Sequence, residues 1–305
     1  KYKYKGNRHL TMVTASIVTY KHHFLDIEPV LRSLFASPVD TIYIIDHSVD
    51  LMPTLLSELE EFRSRVFTGE PQLVQRVAQG LQMIYLPHEN NGYGGGHNVA
   101  IKQAIKDGST YHLVVNPDIW FGPRVIPGLV KYMDEHDDVA QMMPKVLYPD
   151  GEIQRLAKLL PTPMDMFGRL CLPASFIAKR NALFELADSR YEMTLNVPYL
   201  SGCFMFFRLS AIKEIDFFDE NFFMYAEDID ITRRLHEKYK TLYYPELPVY
   251  HKFSRASHRS LRLFFVHVYN IMKYFNKWGW FSDKQRTEYN KRLIDEIRSY
   301  RKKLL

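Results

Sequence analysis

Two rhythms of apolar and polar residues alternate along the first 120 positions of the chain. Thr14-Ala15-Ser16-Ile17-Val18-Thr19, Thr41-Ile42-Tyr43-Ile44-Ile45-Asp46, Leu81-Gln82-Met83-Ile84-Tyr85-Leu86 and Tyr111-His112-Leu113-Val114-Val115 are short runs rich in β-branched and aromatic residues, which predicts strands. Helical spacing separates them around Pro29 to Phe35, Leu55 to Phe67 and His97 to Lys106. Strands alternating with helices predict an α/β fold with a mostly parallel sheet built from right-handed crossovers, whose ligand site lies at the carboxyl ends of the strands. Thr19, Asp46, a glycine-rich loop and Asp118 all fall at those ends.

The rhythm changes in the second half. Val139 to Met143 predicts another strand, and Lys145 to Ile153, with Pro149-Asp150-Gly151 at its tip, a hairpin or turn. Leu159 to Pro173 holds three prolines and mixed polarity, so a loop beside the site is expected. Val197 to Arg208 reads as one buried strand containing Ser201-Gly202-Cys203, Ala226 to Lys240 as a helix, and Thr241 to Tyr250 as a short strand interrupted by prolines. No internal repeat is present.

From Leu261 onward, Phe264, Phe265, Val268, Ile271, Met272 and Phe275 follow at helical spacing, with Arg262, Lys273 and Lys277 off the stripe and Trp278, Trp280 and Phe281 close behind. A basic amphipathic helix of this kind suits a membrane surface or packing on the body. Ser282 to Leu305 continues as a charged helix with Tyr289, Leu293, Ile297, Tyr300 and Leu304 on one stripe, fit to pack on the first helix or to make a homodimer contact. The expected division is a body of residues 1–255 and a basic helical extension of residues 256–305.

Charge supports that division. The net +5 hides an asymmetry, because residues 251–305 carry 14 Lys and Arg against 4 Asp and Glu, leaving the first 250 residues at −5. Charge alone would allow nucleic acid as a partner, but no nucleic-acid-binding motif accompanies it, so none is expected. Cys171 and Cys203 have no metal-ligand spacing and point to a reducing compartment. The N-terminus does not resemble a signal peptide, and no run reaches the roughly 18 apolar residues of a membrane span. A cytoplasmic protein, with a peripheral place at the inner face of the plasma membrane through its tail, is therefore expected.

Three segments carry candidate chemistry. In Asn116-Pro117-Asp118, Pro117 ends the preceding strand and presents Asp118 on a turn, where a hard oxygen ligand suits Mg2+ or Mn2+ holding a diphosphate. A solvated turn is its plainer use. Asn91-Gly92-Tyr93-Gly94-Gly95-Gly96-His97-Asn98 has neither dinucleotide nor Walker spacing, yet four glycines favour close approach to a ligand at a helix start. Met224-Tyr225-Ala226-Glu227-Asp228-Ile229-Asp230 crowds three carboxylates into a first helical turn, which capping explains in part. The apolar Phe222-Phe223-Met224-Tyr225 before it would raise a carboxylate pKa and suit a general base.

Together these segments resemble a family 2 glycosyltransferase of the GT-A fold, in its rhamnosyltransferase-like branch. The matching pieces are Ser16 to Tyr20, Ile45-Asp46, Asn91 to Asn98, Asn116-Pro117-Asp118, Ser201-Gly202-Cys203-Phe204, Phe222 to Asp230 and Val249-Tyr250-His251, in the family's order over residues 12–255. The resemblance implies that Thr19, Tyr20, Asp46, Asn91, Gly92, Asn116 and Asp118 bind the donor nucleotide. It also implies that Asp118 and His251 hold Mn2+ or Mg2+, with Asn116 standing where the first acid of the family's metal motif often lies. Asp228 resembles the catalytic base, with Glu227 beside it, while Asp230, Ser201 and Gly202 would serve the acceptor or position neighbours. The implied reaction is inverting transfer of a sugar from dTDP-rhamnose or a UDP-sugar to a hydroxyl of a cell-surface polysaccharide or lipid-linked glycan. The alternatives are a sugar-phosphate nucleotidyltransferase, disfavoured because Thr19-Tyr20-Lys21-His22-His23 lacks a glycine, and a non-catalytic sugar-nucleotide or glycan-binding subunit, disfavoured by a metal carboxylate and a base together.

Overall fold

A computed structural model describes residues 11–48, 55–62, 80–252 and 261–304. The predicted helix from Leu55 is present over residues 55–62, and its remainder lies outside the described residues. Four strands, β1 (Val13–Thr19), β2 (Thr41–Asp46), β3 (Gln82–Pro87) and β4 (Tyr111–Val115), pair in parallel in the order β3-β2-β1-β4. The helices α1 (Phe24–Phe35) and α2 (Gly92–Lys106) lie in the crossovers. The chain moves outward from β1 to β3 and then returns to β4 on the other side of β1, so a crevice opens at the carboxyl ends of β1 and β4. Thr19 and Asn116 flank that crevice.

Both faces of this sheet are covered, which is why β4 is buried at every position and reads as a continuous apolar run. Ile42, Ile44, Leu113 and Val115 point into one core, and Tyr43, Ile45 and Val114 into the other, as a period of two requires. Each fully buried Ile, Leu or Phe contributes about 1.5–3 kcal/mol.

After β4 come β5 (Ile119–Phe121), α3 (Val125–Asp134) and β6 (Val139–Leu147). The predicted turn follows, with Gly151 donating its amide to the Tyr148 carbonyl at 2.9 Å and a bridge between Leu147 and Ile153. Where a loop was expected over 159–173, the chain instead forms β7 (Ala157–Lys158) and a helical hairpin, α4 (Pro163–Cys171) and α5 (Ala174–Phe184). The prolines punctuate helices here: Thr162 accepts the Asp165 amide as a capping box, Pro163 begins α4 and Pro173 precedes α5.

The predicted strand 197–208 is split into β9 (Tyr199–Leu200), paired with β7, and β10 (Phe204–Arg208), antiparallel between β4 and β6. The short β8 (Leu195–Asn196) precedes them. After α6 (Leu209–Glu214) and α7 (Glu227–His236), β11 (Lys240–His251) runs parallel to β6, with a register shift between Tyr244 and Val249 where the sequence places two prolines. Its end pairs with β5, setting His251 opposite Ile119.

The extension forms α8 (Leu261–Trp278) and α9 (Lys284–Leu304). It is not a separate layer, because Ile271, Tyr274, Phe275, Leu293 and Ile297 belong to the same core as β1 and β4. The stripe read from the sequence is divided: Ile271 and Phe275 enter that core, while Leu261, Phe265 and Met272 face outward.

A polar chain runs under α2. Thr14 Oγ1 meets His112 Nδ1 at 2.8 Å, Ser16 Oγ meets His112 Nε2 at 2.7 Å, and the same hydroxyl meets His97 Nδ1 at 2.7 Å. All four side chains are buried. Burial pushes the His112 pKa down to about 3 and holds His97 well below the ordinary imidazole value. Unfolding exposes both rings, so between pH 6.5 and about 3 the unfolded chain binds more protons and stability falls as pH falls. We expect urea midpoints to drop from pH 7 toward pH 5, with each histidine adding a slope of up to about 1.4 kcal/mol per pH unit. His112→Gln should remove about half of that slope, and an unchanged slope would rule out this origin.

Candidate active site

Three clusters meet in the crevice. In the first, Asp46 at the end of β2 is buried and accepts three hydrogen bonds, from Thr19 Oγ1 (3.0 Å), the Ser48 amide (3.0 Å) and the Tyr85 hydroxyl (2.6 Å). Tyr20 follows Thr19 on the rim, half exposed, and the Lys21 amide donates to Ser48 Oγ. His22 reaches the charges of both Asp46 and Asp118, yet burial outweighs them and lowers its pKa.

The second cluster is Asp118, His251 and Gln154. Ile119 pairs with His251 across β5 and β11, which brings Asp118 Oδ1 to 3.2 Å from His251 Nε2. The Gln154 amide donates from Nε2 to the His251 carbonyl at 2.8 Å, so its Oε1 is the acceptor facing His251 Nδ1 at 2.9 Å. Gln154 thereby fixes the ring, with Nδ1–H toward its Oε1 and Nε2 toward the carboxylate, the orientation that hydrogen-bond partners behind a metal-binding histidine impose. Burial raises the Asp118 pKa, but the hydrogen bond and charge of His251 prevail and hold it below the usual carboxylate value. A carboxylate oxygen and an imidazole nitrogen suit Mn2+ or Mg2+, with further positions left to diphosphate oxygens and water.

The third cluster contains the acidic motif. Gly202 lies in the break between β9 and β10, and its amide donates to Asp228 Oδ2 at 3.0 Å. The Ile229 amide donates to Oδ1 at 2.8 Å. This contact explains the interrupted strand: the backbone at 201–203 turns out of the sheet to meet the start of α7. Burial raises the Asp228 pKa, opposed by these two amides and by the charge of Lys158. Glu227 is more deeply buried, and burial together with the negative charge of Asp228 pushes it well above the carboxylate range. Two adjacent buried carboxylates disfavour joint ionisation, so the pair favours holding one proton between them.

Tyr93 joins the last two clusters. Its single hydroxyl proton is shared between Asn116 Oδ1 at 3.0 Å and the nearer Gly202 carbonyl at 2.7 Å, and its amide donates to the Phe223 carbonyl at 2.9 Å. Burial first, then the charges of Glu227, Cys203, Asp228 and Asp118, raise its pKa well above 10.0. Ser201 precedes Gly202 at the edge of the site, and Cys203 is a buried free thiol.

The structure corrects one expectation and narrows another, that of Asp230, to its positioning alternative. The glycines do not form an open loop, because α2 begins at Gly92 and all four glycines are buried against protein. Gly92 has φ +87°, and a Cβ there would lie 2.3 Å from the Phe223 carbonyl oxygen, so only glycine fits. Asp230 is fully buried and accepts from Arg234 Nε (2.7 Å), Lys277 Nζ (2.7 Å) and Trp278 Nε1 (2.8 Å), which removes it from reach of an acceptor. It anchors α7 instead. The adjacent Arg233 makes a bidentate pair with Asp283 at 2.8 Å per bond, beneath the Trp278 ring.

Gln154, Lys158, Tyr93 and His22 escaped sequence reasoning. A Gln three residues past a Pro-Asp-Gly turn carries no signal of its own, whereas Tyr93 stood inside a segment already singled out.

A parallel wing with carboxylates at its strand ends, a histidine answering one of them and a second acidic pair on a helix start define a GT-A transferase architecture. The model of Glycosyl transferase family 2 matches residues 15–216, and the chain belongs to that family. Its relatives include the N-acetylglucosaminyl-diphospho-decaprenol L-rhamnosyltransferase of Mycobacterium tuberculosis (strain CDC 1551 / Oshkosh), 28% identical over 149 residues covering 48% of each chain. Rhamnosyltransferase WbbL of Escherichia coli (strain K12) is 30% identical over 182 residues, 56% of this chain and 64% of that protein. The chain thus spans about half the length of the mycobacterial relative. Among solved structures, GalNAc-T7 with UDP, GalNAc and Mn2+ superposes with a TM-score of 0.55 at 14% identity, covering 80% of this chain and 44% of that one. The mannosyltransferase PcManGT from Pyrobaculum calidifontis, with GDP-Man and Mn2+, gives 0.54 at 15% identity, covering 87% and 63%. Both likenesses establish the fold.

The anchoring of α7 has a measurable consequence. Asp283→Ala leaves the Arg233 guanidinium buried without its carboxylate, which should cost about 3–5 kcal/mol in urea unfolding. Asp295→Ala, whose carboxylate is exposed and paired only at 3.8 Å, should cost under about 1 kcal/mol. Equal, small losses in the two variants would show that α7 does not depend on the extension.

Proposed function

We propose that the chain is an inverting glycosyltransferase that moves a sugar from a nucleoside diphosphate donor to a hydroxyl of a lipid-linked or cell-surface glycan. The observation that carries this reading is the pair of unlike carboxylates on one crevice: Asp118, ionised beside His251, and Asp228, raised in pKa and aimed by the Gly202 amide. The relatives' names favour dTDP-rhamnose as donor over a UDP-sugar, and a lipid diphosphate as carrier of the acceptor.

Asp118 and His251 would hold Mn2+ or Mg2+, as their hard oxygen and oriented imidazole fit. That ion supplies positive charge to a leaving diphosphate. Thr19, Tyr20, Asp46, Asn91, Gly92 and Asn116 are assigned to the nucleotide because they surround the crevice at the ends of β1 to β4. Asp228 accepts the proton of the acceptor hydroxyl as its oxygen forms a bond to the anomeric carbon. The bond from that carbon to the diphosphate breaks on the opposite face, inverting the configuration. Glu227, to which we assign the proton of the pair, supports the loop by accepting the Ala226 amide at 2.9 Å. Lys158 favours the ionised form of Asp228 before transfer. Among the described residues no helix is long and apolar enough to cross a membrane, and we assign the chain a peripheral place at the membrane that holds its acceptor.

Two measurements test this reading. Calorimetry with dTDP or UDP should show affinity that rises with Mn2+ in the wild type and loses that dependence in Asp118→Ala, with the unfolding midpoint retained; identical metal-dependent affinity in both proteins refutes the metal assignment. Asp228→Asn should lower turnover by roughly 10² to 10⁴ while leaving nucleotide affinity unchanged, and Glu227→Gln, which replaces a neutral acid by a neutral amide, should lose far less. The reverse order would make Glu227 the base.

A further inference from the structure

Nine of the eleven large apolar side chains exposed among the described residues lie in two segments, 163–184 and 261–281. Leu261 (80% exposed), Phe265 (66%) and Met272 (43%) form an outward stripe on α8, Phe281 (91%) follows that helix, and Phe176 (80%) and Leu172 (42%) stand on the α4–α5 hairpin. None of the residues Leu261 to Tyr269 is buried, although the stretch is almost wholly apolar. The two segments adjoin, since the Phe167 ring of α4 packs on Phe275 at 6.2 Å and Trp280 at 6.1 Å.

Both segments also flank the candidate base. The Tyr225 ring, three residues before Asp228, lies 4.9 Å from the His267 ring of α8. Phe184 at the end of α5 lies under the ammonium of Lys158, whose charge acts on Asp228.

Charge identifies the occupant of this apolar apron. The two segments hold six Lys and Arg against one acidic residue, Asp165. That acid pairs with Arg180 at 2.6 Å, and Asp283, just past the second segment, pairs with Arg233 at 2.8 Å. A second copy of the same face would set cations against cations, whereas an anionic lipid surface answers both the apolar side chains and the basic ones.

We propose that the α4–α5 hairpin and the outward stripe of α8 together seat the protein on an anionic bilayer surface, with the mouth of the Asp228 site bordered by the lipid. The inference deepens the transferase reading by naming where its acceptor is carried, but it is tested separately. It relocates the membrane contact expected of the tail, because Lys277 is bound to Asp219 and Asp230, Lys273 donates to the Asn221 carbonyl, and the hairpin joins in.

The test is sedimentation of the full chain with vesicles of phosphatidylcholine alone or mixed with phosphatidylglycerol, at low and high salt. Binding should require phosphatidylglycerol, fall with salt, and drop by roughly tenfold or more in the triple variant Phe176→Ser, Phe265→Ser, Phe281→Ser. These side chains are exposed, so the variant should keep the wild-type unfolding midpoint and nucleotide affinity. Absence of wild-type binding at low salt, equal binding by the variant, or a wild-type dimer that the variant converts to a monomer would overturn the proposal. Vesicle binding without nucleotide binding would retain it and refute the transferase reading, and the opposite result would do the reverse.

Discussion

Asp230 and Arg233 are oppositely charged, nearly fully buried and three residues apart on the helix whose first turn carries the candidate base. Taking two such ions out of water costs several kcal/mol each, so the fold is viable only where each finds full partners. Arg234, Lys277 and Trp278 answer Asp230, while Asp283, Tyr274 and Gln285 answer Arg233. All but Arg234 come from the C-terminal extension. The basic tail is therefore the counter-charge of α7, and the direction in which Asp228 points is set by residues some 50 positions away in sequence.

The opposite end of α7 is fixed by backbone. Tyr225 adopts φ +81°, a conformation that costs a bulky residue about 1–3 kcal/mol and is retained only where surrounding contacts over-determine it. Those contacts are the hydrogen bond from the Tyr93 amide to Phe223, the Gly92 position that admits the Phe223 carbonyl, and the tilted ring contact of Tyr225 with His267. The glycine-rich helix thus shapes the acidic loop by letting it approach, and the loop in turn aims two adjacent carboxylates differently. Glu227 is buried and accepts the Ala226 amide, whereas Asp228, less buried, accepts the amides of Gly202 and Ile229.

How much of this was legible in the sequence follows from which interactions are local. The parallel wing was readable because strands buried on both faces leave an apolar run that no solvated segment mimics, and Thr19, Asp46 and Asp118 lie at strand ends for the same reason. The hairpin at 163–184 was not, since the three prolines between 161 and 173 read as loop punctuation although two of them start helices. The break at Ser201–Cys203 was hidden by flanking runs apolar enough to pass for one strand. Gln154 and Lys158 gave no signal because their value comes wholly from long-range pairing, with His251 in one case and with the Asp228 loop in the other. The acidic cluster was found, but spacing could not distinguish a carboxylate facing substrate from one facing Lys277.

The stripe on α8 shows why a sequence pattern permits two readings at once. A helix that only packs on a body needs one apolar face, and one that only lies on a membrane needs a polar face toward the body. Here the apolar arc is wide enough to do both: Ile271 and Phe275 enter the core while Leu261, Phe265 and Met272 remain outside. The same helix supplies Lys277 and Trp278 to Asp230. Any surface that engaged the outer edge of α8 would consequently bear on an element held by buried charge to α7, the helix that carries Asp228.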